Sequence, residues 1–576
     1  MTRIILFCVA VMIVAPAAAW AQPAIRADNG VLNASSYGAD IARGSWFVVF
    51  GSGMGPATLA VYSGSLPYPT ELSGTRVSFT PAAGGAAVDA RLWYTSAGQL
   101  AALLPSSTPA GDYDVRVTFN ATSAPRRVRV VERNFGFATQ AQNGAGPAQA
   151  TYGGLDLNRF ATGTLGQWSV RPAKPGDAMV LWGTGLGPDP SSDLNGVSSG
   201  DQTAAGQVRV VVGGIEATPA YAGRSGGSPG LDQINFTVPA NVAPGCFVSL
   251  QVRAGGRTSN LGSIAVAESG KSSCTHPTLS DAQLIKLDQG GSLVIGNLDL
   301  LKTSMKLSMP GLGSFEMKSE SVSGSFDRHG VDTVGTANFS LLQIGACFVL
   351  QRVGTTDEII QGKGPAPLDA GAQLTLNGPN AANKAVPRQP QDLTYSAELY
   401  SSGLGGLGGS GTPTLVQGTY TLSGTGGRDV GAFTARVDLP GDFVWSNQDR
   451  LSDPIPRGSP LTITWTGGST GSVMIAGAAL RQTGVTQQNP IYSATVFDCV
   501  AQASAGSFTV PSSVLQQLPA VPNDPTGGSF GSLSVFATPD ITKGQGVFSA
   551  PLTAGGTTDQ ASLSYSIGST KTTGWN

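Results

Sequence analysis

Four of the five cysteines, Cys246, Cys274, Cys347 and Cys499, lie outside the N-terminal apolar run that holds Cys8. An even count in an oxidising compartment favours two disulfides, and four thiols permit three connectivities. We expect Cys246–Cys274, closing a short loop at a module edge, and Cys347–Cys499, cross-linking the C-terminal half. His276 stands two residues from Cys274 and raises metal ligation, but no C-x-x-C pair and no second nearby histidine support it. G-x-S-x-G, the pattern of an exposed serine nucleophile, occurs at 196–200, 223–227 and 467–471. In a chain with 79 glycines it is uninformative, since none of the three follows a strand and opens a helix. The base of a serine mechanism would be His276 or His329, and His329 in Asp-Arg-His-Gly reads as a turn residue. Paired acids Asp112/Asp114, Asp438/Asp442 and Asp449/Asp453 are the visible material for carboxylate hydrolysis. Asp112 and Asp114 alternate with apolar residues, which makes them solvated positions of a strand. Asp189, Asp193 and Asn195 crowd a loop with oxygen ligands suited to calcium, but at spacing that fails the EF-hand pattern. Aromatic side chains are the remaining chemistry: sugars stack on exposed Trp and Tyr, and Trp445, beside Ser446 and Asn447, and Trp575 are the candidate ligand contacts. Core packing competes for Trp445, whose strand face carries Phe443, and Trp46, Trp93, Trp182 and Trp465 fall in strand-like runs and read as structural.

Whatever positions these groups is not a helical bundle. The 576 residues include 79 Gly and 37 Pro, the two types that most disrupt helices, while 40% apolar and 12% charged residues exclude a charge-rich disordered chain. Lys+Arg 34 against Asp+Glu 36, with no long block of one sign, gives no reason to expect nucleic acid or an anionic membrane as partner. Residues 1–21 read as a secretory signal: Arg3, the apolar stretch Ile4 to Val14, then Ala19-Trp20-Ala21 before Gln22. A soluble, exported, extracellular or cell-surface product is the expectation, with no membrane insertion after the signal is removed.

The strongest internal signal is a duplication. Val48-Val-Phe-Gly-Ser-Gly-Met-Gly-Pro56 returns as Val180-Leu-Trp-Gly-Thr-Gly-Leu-Gly-Pro188, and Gln99, Pro105 and Gly111 correspond to Gln233, Pro239 and Gly245. The glycines fail the dinucleotide fingerprint, because the third comes one place early and no helix follows; they read as a turn after a buried strand, and no cofactor is implied. Period-two runs, Tyr113/Val115/Val117/Phe119 in one copy and Cys246/Val248/Leu250/Val252 in the other, predict half-buried strands with those residues inward. Turns at short intervals fit sandwiches of roughly 100 residues. Ser280 to Leu287, capped by Ser280 and stopped by Gly290, is the best short helix.

Taken together, Leu32-Asn-Ala-Ser-Ser-Tyr37, Phe50 to Pro56, Trp93-Tyr-Thr-Ser-Ala-Gly-Gln-Leu100, Trp182 to Pro188 and Gly230-Leu-Asp-Gln-Ile-Asn-Phe-Thr-Val-Pro239 resemble the Solibacter uncharacterised C-terminal domain family, over about residues 30–267. That family occurs in secreted soil-bacterial proteins and is similar to immunoglobulin-like TIG/IPT modules. The resemblance implies a pair of β-sandwiches in an extracellular protein and assigns no activity. Gly426 to Phe433, Trp445 to Asn447, Phe497 to Cys499 and Phe508 to Pro511 look like regions of the same class of secreted proteins.

The expected architecture is all-β: tandem immunoglobulin-like sandwiches at 30–133 and 161–267 joined by a connector at 134–160, then β units at 275–395 and 396–576 that a Cys347–Cys499 bond would tie into one. The expected function is a non-enzymatic modular protein for adhesion, surface architecture or recognition of an extracellular protein or polysaccharide. Carbohydrate binding through loop aromatics is the second reading and a carboxylate-dependent hydrolase the third.

Overall fold

The computed structural model describes residues 22–576 except 28, 154–155, 277, 310–312, 338–343, 346, 355–364, 405–406, 469–470, 487–488, 525–527 and 541–542; residues 1–21, read above as a secretory signal, and Cys8 among them lie outside the described residues. The chain is all-β. Short strands rich in Val, Phe and Thr, cut by glycine turns, leave no stretch long enough for more than a few helical turns.

The first sandwich faces one sheet, ordered β1 (Ala24–Ile25), β2 (Trp46–Ser52), β6 (Gln99–Leu103), β5 (Arg91–Thr95), β3 (Ala60–Val61), against a second built on β4 (Thr75–Pro81), β7 (Gly111–Phe119) and β8 (Arg126–Val131). Phe47, Val49, Leu100 and Ala102 from the first sheet meet Phe79, Tyr113, Val115 and Val117 from the second, the alternation expected for β7. The second sandwich repeats the plan with β9 (Ala178–Thr184), β10 (Arg209–Val212), β11 (Tyr221–Arg224), β12 (Asp232–Thr237), β13 (Gly245–Ala254) and β14 (Gly262–Val266). The repeated glycines are sites of close backbone approach: a Cβ on Gly51 would stand 2.1 Å from the Ala24 carbonyl oxygen, and one on Gly183 would stand 2.2 Å from that of Gly136. In β13 the expected inward face breaks. A register shift between Gly245 and Val248 leaves Val248, Leu250 and Val252 in the sandwich core but turns Cys246 into a separate cluster with Phe160, Phe247 and Cys274. That cluster is closed by Leu284 and Leu287 of helix α2 (Asp281–Asp288; a shorter helix, α1, spans Pro190–Asn195), capped by Ser280 as expected, with Gln283 completing a capping box.

The remaining chain forms one large ten-stranded sheet, nine strands of which follow the path β17 (Cys347–Gly354), β25 (Asn489–Gln502), β24 (Ser472–Thr486), β26 (Ser529–Thr538), β27 (Gln560–Thr573), β15 (Leu293–Met309), β16 (Gly313–His329), β20 (Tyr395–Leu404), β21 (Leu407–Gly411), while the tenth, Ala366–Pro367, pairs with β16 off this path. It also forms a four-stranded sheet, β19 (Ala381–Pro387), β18 (Gln373–Gly378), β22 (Gly418–Gly424), β23 (Phe433–Leu439), and a three-stranded one containing Val444–Trp445. Strands from before and after residue 395 alternate in the large sheet, and one core runs from Val294 to Trp575. Strand β15 is covered on both faces: Val294, Leu298 and Leu300 face the C-terminal core, whereas Leu293 and Ile295 join the Cys246 cluster of the second sandwich.

Both expected disulfides form, Cys246–Cys274 within that cluster and Cys347–Cys499 between directly paired residues of β17 and β25.

Candidate functional site

The two tryptophans named as candidate ligand contacts are inside, Trp445 as the competing core-packing reading had it. Trp575 is 1% exposed, its indole N–H donates to the Ala478 carbonyl at 2.8 Å, and Gly531 leaves the room it occupies. Trp445 is 5% exposed because its strand face is the one Phe443 shares, and its N–H donates to Asn447 Oδ1 at 2.9 Å. Asn447, half-buried, also accepts from Thr464 N–H and donates to the Thr462 carbonyl. The two indoles present no open face to a ligand, and that part of the expectation is corrected: Trp445 follows the inward face of its strand and Trp575 packs into the space beside Gly531.

The acidic groups are likewise engaged. Asp189 caps α1: burial works to raise its pKa, but hydrogen bonds from Ser199, Ser191 and Ser192 outweigh it and hold the carboxyl below its ordinary value. Asp193 reaches across to the first sandwich and accepts Ser106 N–H and Oγ–H at 2.6 and 3.0 Å. Asp449 pairs with Lys306 and Asp114 with Arg127, while Asp453 accepts from Gly574 N–H and Asn523. His276 accepts N–H bonds from Thr278 and Leu279 beside the disulfide, and its burial lowers its pKa to about 4. His329 ends strand β16 and is buried, where a turn was expected.

Asp193 belongs to the joint between the sandwiches. Arg224 and Asp232, both fully buried, pair in the second sandwich, and Arg224 also donates to the carbonyls of Gly44 and Gly187. Asn33 donates to Asn134 and Thr184 carbonyls, and Trp46 donates its backbone N–H to Thr184 Oγ1 and its indole N–H to the Pro229 carbonyl at 2.7 Å. These buried hydrogen bonds cross the boundary and tie the two sandwiches together.

Against this joint lies the surface that the sequence reading missed. In β5, Tyr94 pairs with Ala101 and Leu92 with Ala102, so Trp93 is the extra residue of a β-bulge. Leu92 and Thr95 both turn inward and are fully buried; Trp93 and Tyr94 both turn out. Trp93, assigned to structure from its strand-like run, is 45% exposed. The bulge makes it the middle of a ridge of rings. Tyr62 meets Tyr68 at 5.9 Å, Tyr68 meets Trp46 at 5.2 Å, Trp46 meets Trp93 at 5.6 Å and Trp93 meets Tyr94 at 5.5 Å between centroids. Tyr94 then packs with Tyr37 and Phe50 on the same outer face, where Arg26 sits over the Phe50 ring. Exposed Leu59 and Val61 flank the ridge.

The polar edge of the ridge faces outward. Tyr94 Oη accepts from Gln99 Nε2 at 2.7 Å, which leaves its own O–H free to donate. Among the described residues the Trp93 indole N–H meets no protein acceptor. Burial raises the phenol pKa of Tyr37, Tyr68 and Tyr94, with Tyr37 adding to the shift of Tyr94, so all three are neutral donors near neutral pH. The loop that brings Tyr62 and Tyr68 together is held by Tyr62 N–H to the Trp93 carbonyl, Arg91 to the Tyr68 carbonyl and Tyr62 O–H to the Ser65 carbonyl.

The second sandwich lacks this ridge. By register with the paired strands, Ala178 stands where Trp46 does and Tyr221 where Tyr94 does, while β11 runs without a bulge. Comparing Trp46 with Ala178 was the available sequence signal; nothing local announced the bulge.

No protein-family model matches the chain, and no curated protein matches it. Solved structures similar to it include SGBP-B of the Bacteroides ovatus mixed-linkage glucan utilization locus in complex with a mixed-linkage heptasaccharide, at 12% identity over 82% of this chain and 94% of that one, TM-score 0.11. The FN1–FN3 domains of chicken CNTN1 match at 10% identity over 72% and 99%, TM-score 0.11, and Sidekick-1 immunoglobulin domains 1–5 at 9% over 92% and 78%, TM-score 0.11. Similarities this remote bear on neither ligand nor mechanism.

Proposed function

We propose that this chain is a secreted, non-enzymatic recognition protein whose first sandwich binds polysaccharide on the aromatic ridge. The observation that carries the reading is the outward turn of Trp93 at a bulge, in a file of rings that the sister module lacks. An exposed indole offers a flat apolar face to the axial C–H groups of a pyranose, and the outward Trp93 N–H and Tyr94 O–H are donors placed for its hydroxyls. Supported rings cost little to order on binding, because their contacts with Trp46 and Tyr68 hold them in place beforehand. Two disulfides fit an oxidising compartment; of the acids considered for hydrolysis, Asp114, Asp438, Asp442 and Asp449 sit in ion pairs and Asp453 accepts the Gly574 N–H.

Electrophoresis of the protein through native gels containing β-glucan, galactomannan, xylan or soluble chitin derivatives tests the reading. Retardation in at least one gel, abolished or sharply reduced by Trp93→Ala, is the expected result. Unretarded migration in all of them, or retardation indifferent to Trp93, refutes it.

A further inference from the structure

We infer that the four-stranded sheet of the C-terminal half carries a second carbohydrate site, in a hydroxyl-lined groove on its outer face. The groove is a shallow depression open to solvent, with a volume of about 660 Å³, inside the ~300–1,000 Å³ span of small-molecule sites. Its floor is a single row across three strands: Thr375 of β18 pairs with Ser423 of β22, which pairs with Thr434 of β23. Neighbouring strands lie ~4.8 Å apart, so the three hydroxyls are evenly spaced on a flat surface. Gln373 and Thr425 extend the row's border, and Ser549 closes it from the segment that leads into the core at Ala550.

What singles these side chains out is that, among the described residues, none of the six makes a hydrogen bond to the rest of the protein. Further along the same sheet Thr419 donates to Asp438, Arg436 donates to Thr419, and Asn377 accepts from Asn383 N–H. Hydroxyls and a carboxamide both donate and accept, so the lining matches a ligand rich in hydroxyls. No charged residue lines the groove. Three cations around it are paired, Arg388 with Asp369, Arg428 with Asp429 and Arg436 with Asp438. This selects against phosphate, sulfate or metal ions and for a neutral glycan. Carbon surface comes from Ala432, Gly424, the threonine methyls and Phe433, itself buried and stacked on Phe548 at 5.3 Å. The site therefore reads hydroxyls by hydrogen bonding where the ridge reads ring faces by stacking, and two such sites on one chain raise avidity for a polymer without further contacts.

The choice of ligand class rests on the reading of the ridge, and the test separates the two. Thr375→Val/Ser423→Ala/Thr434→Val removes the three hydroxyls while keeping shape and strand propensity; Ser423→Arg fills the groove instead and guards against a silent triple variant. Each is made in the wild-type and Trp93→Ala backgrounds, and binding of cellohexaose, laminarihexaose, xylohexaose and chitohexaose is measured by calorimetry. We expect binding that survives Trp93→Ala to weaken at least tenfold with either groove variant. If Trp93→Ala abolishes binding outright and the groove variants leave wild-type affinity within twofold, the ridge stands and the groove is overturned. If groove variants abolish binding that Trp93→Ala does not touch, the groove stands and the ridge fails. No binding of any probe overturns both.

Discussion

Replacing Trp93 by alanine is the sharpest test of the binding surface. Trp93 keeps 45% of its surface in water. Of the ~150–250 Å² a tryptophan side chain commonly buries, about 90 Å² is open to a ligand, equivalent to ~2 kcal/mol at ~25 cal/mol per Å². Alanine forfeits most of this, so glycan affinity should fall ~10–30-fold. Stability should fall far less: the substituted side chain touches Trp46 and Tyr94 on the outside of the sheet and fills no part of the sandwich core. We expect a loss under ~1 kcal/mol, a shift of no more than ~4 °C in the unfolding midpoint. Titration calorimetry of the most strongly retained polysaccharide's oligosaccharide, with scanning calorimetry of the same samples, measures both. Val444→Ala, which truncates an exposed but isolated apolar side chain, serves as control and should bind as wild type. Affinity within twofold of wild type in Trp93→Ala would refute the area argument and with it the ridge. Weakened binding that tracks a large drop in midpoint would refute the separation of binding from folding.

Arg224→Met strands the fully buried Asp232 carboxylate and removes two donors from the joint between sandwiches; denaturant unfolding should show a loss of ~3–5 kcal/mol, against under ~0.5 kcal/mol for the surface pair variant Arg127→Ala. Loop-closure entropy ranks the disulfides: the bond spanning 152 residues constrains the unfolded chain by ~5 kcal/mol and the one spanning 28 by ~3.5 kcal/mol. Cys347→Ala/Cys499→Ala should therefore lower the midpoint of the C-terminal half more than Cys246→Ala/Cys274→Ala lowers that of the second sandwich, as read by calorimetry. Burial raises the Asp498 pKa to about 6. Because the folded state binds this proton more tightly than the unfolded chain, the charged carboxylate costs stability above pH 6, and the cost fades as pH falls toward the unfolded value near ~4. Asp498→Asn should be ~1–3 kcal/mol more stable than wild type at pH 7.5 and indistinguishable from it at pH 4; equal curves at both pH values would remove the role given to burial.

Much of the architecture was legible because it depends on local rules. Glycine and proline frequency excluded long helices, period-two runs such as Tyr113 to Val117 marked buried strands, and Ser280 and Gly290 marked the ends of α2. The duplicated glycine motif announced two sandwiches, since only a residue without Cβ admits the strand that lies against Gly51 or Gly183. The cysteine pairing followed from parity and loop length.

The binding surface was not legible, and one cause runs through every miss. Trp93 lies in a run that alternates like any strand, but one residue inserted against Ala101 and Ala102 reverses which side chains face solvent. A register shift of the same kind removes Cys246 from the face of Val248. Trp575, near a polar tail, is drawn into the core because Gly531, distant in sequence, leaves space for its ring. The order of residues determined that this chain forms layered sheets, where it duplicates and which thiols join. Which aromatic faces water and which hydroxyls are left without a partner was decided only by pairing between strands remote in sequence, because exposure is a property of what packs opposite a residue and not of its neighbours along the chain.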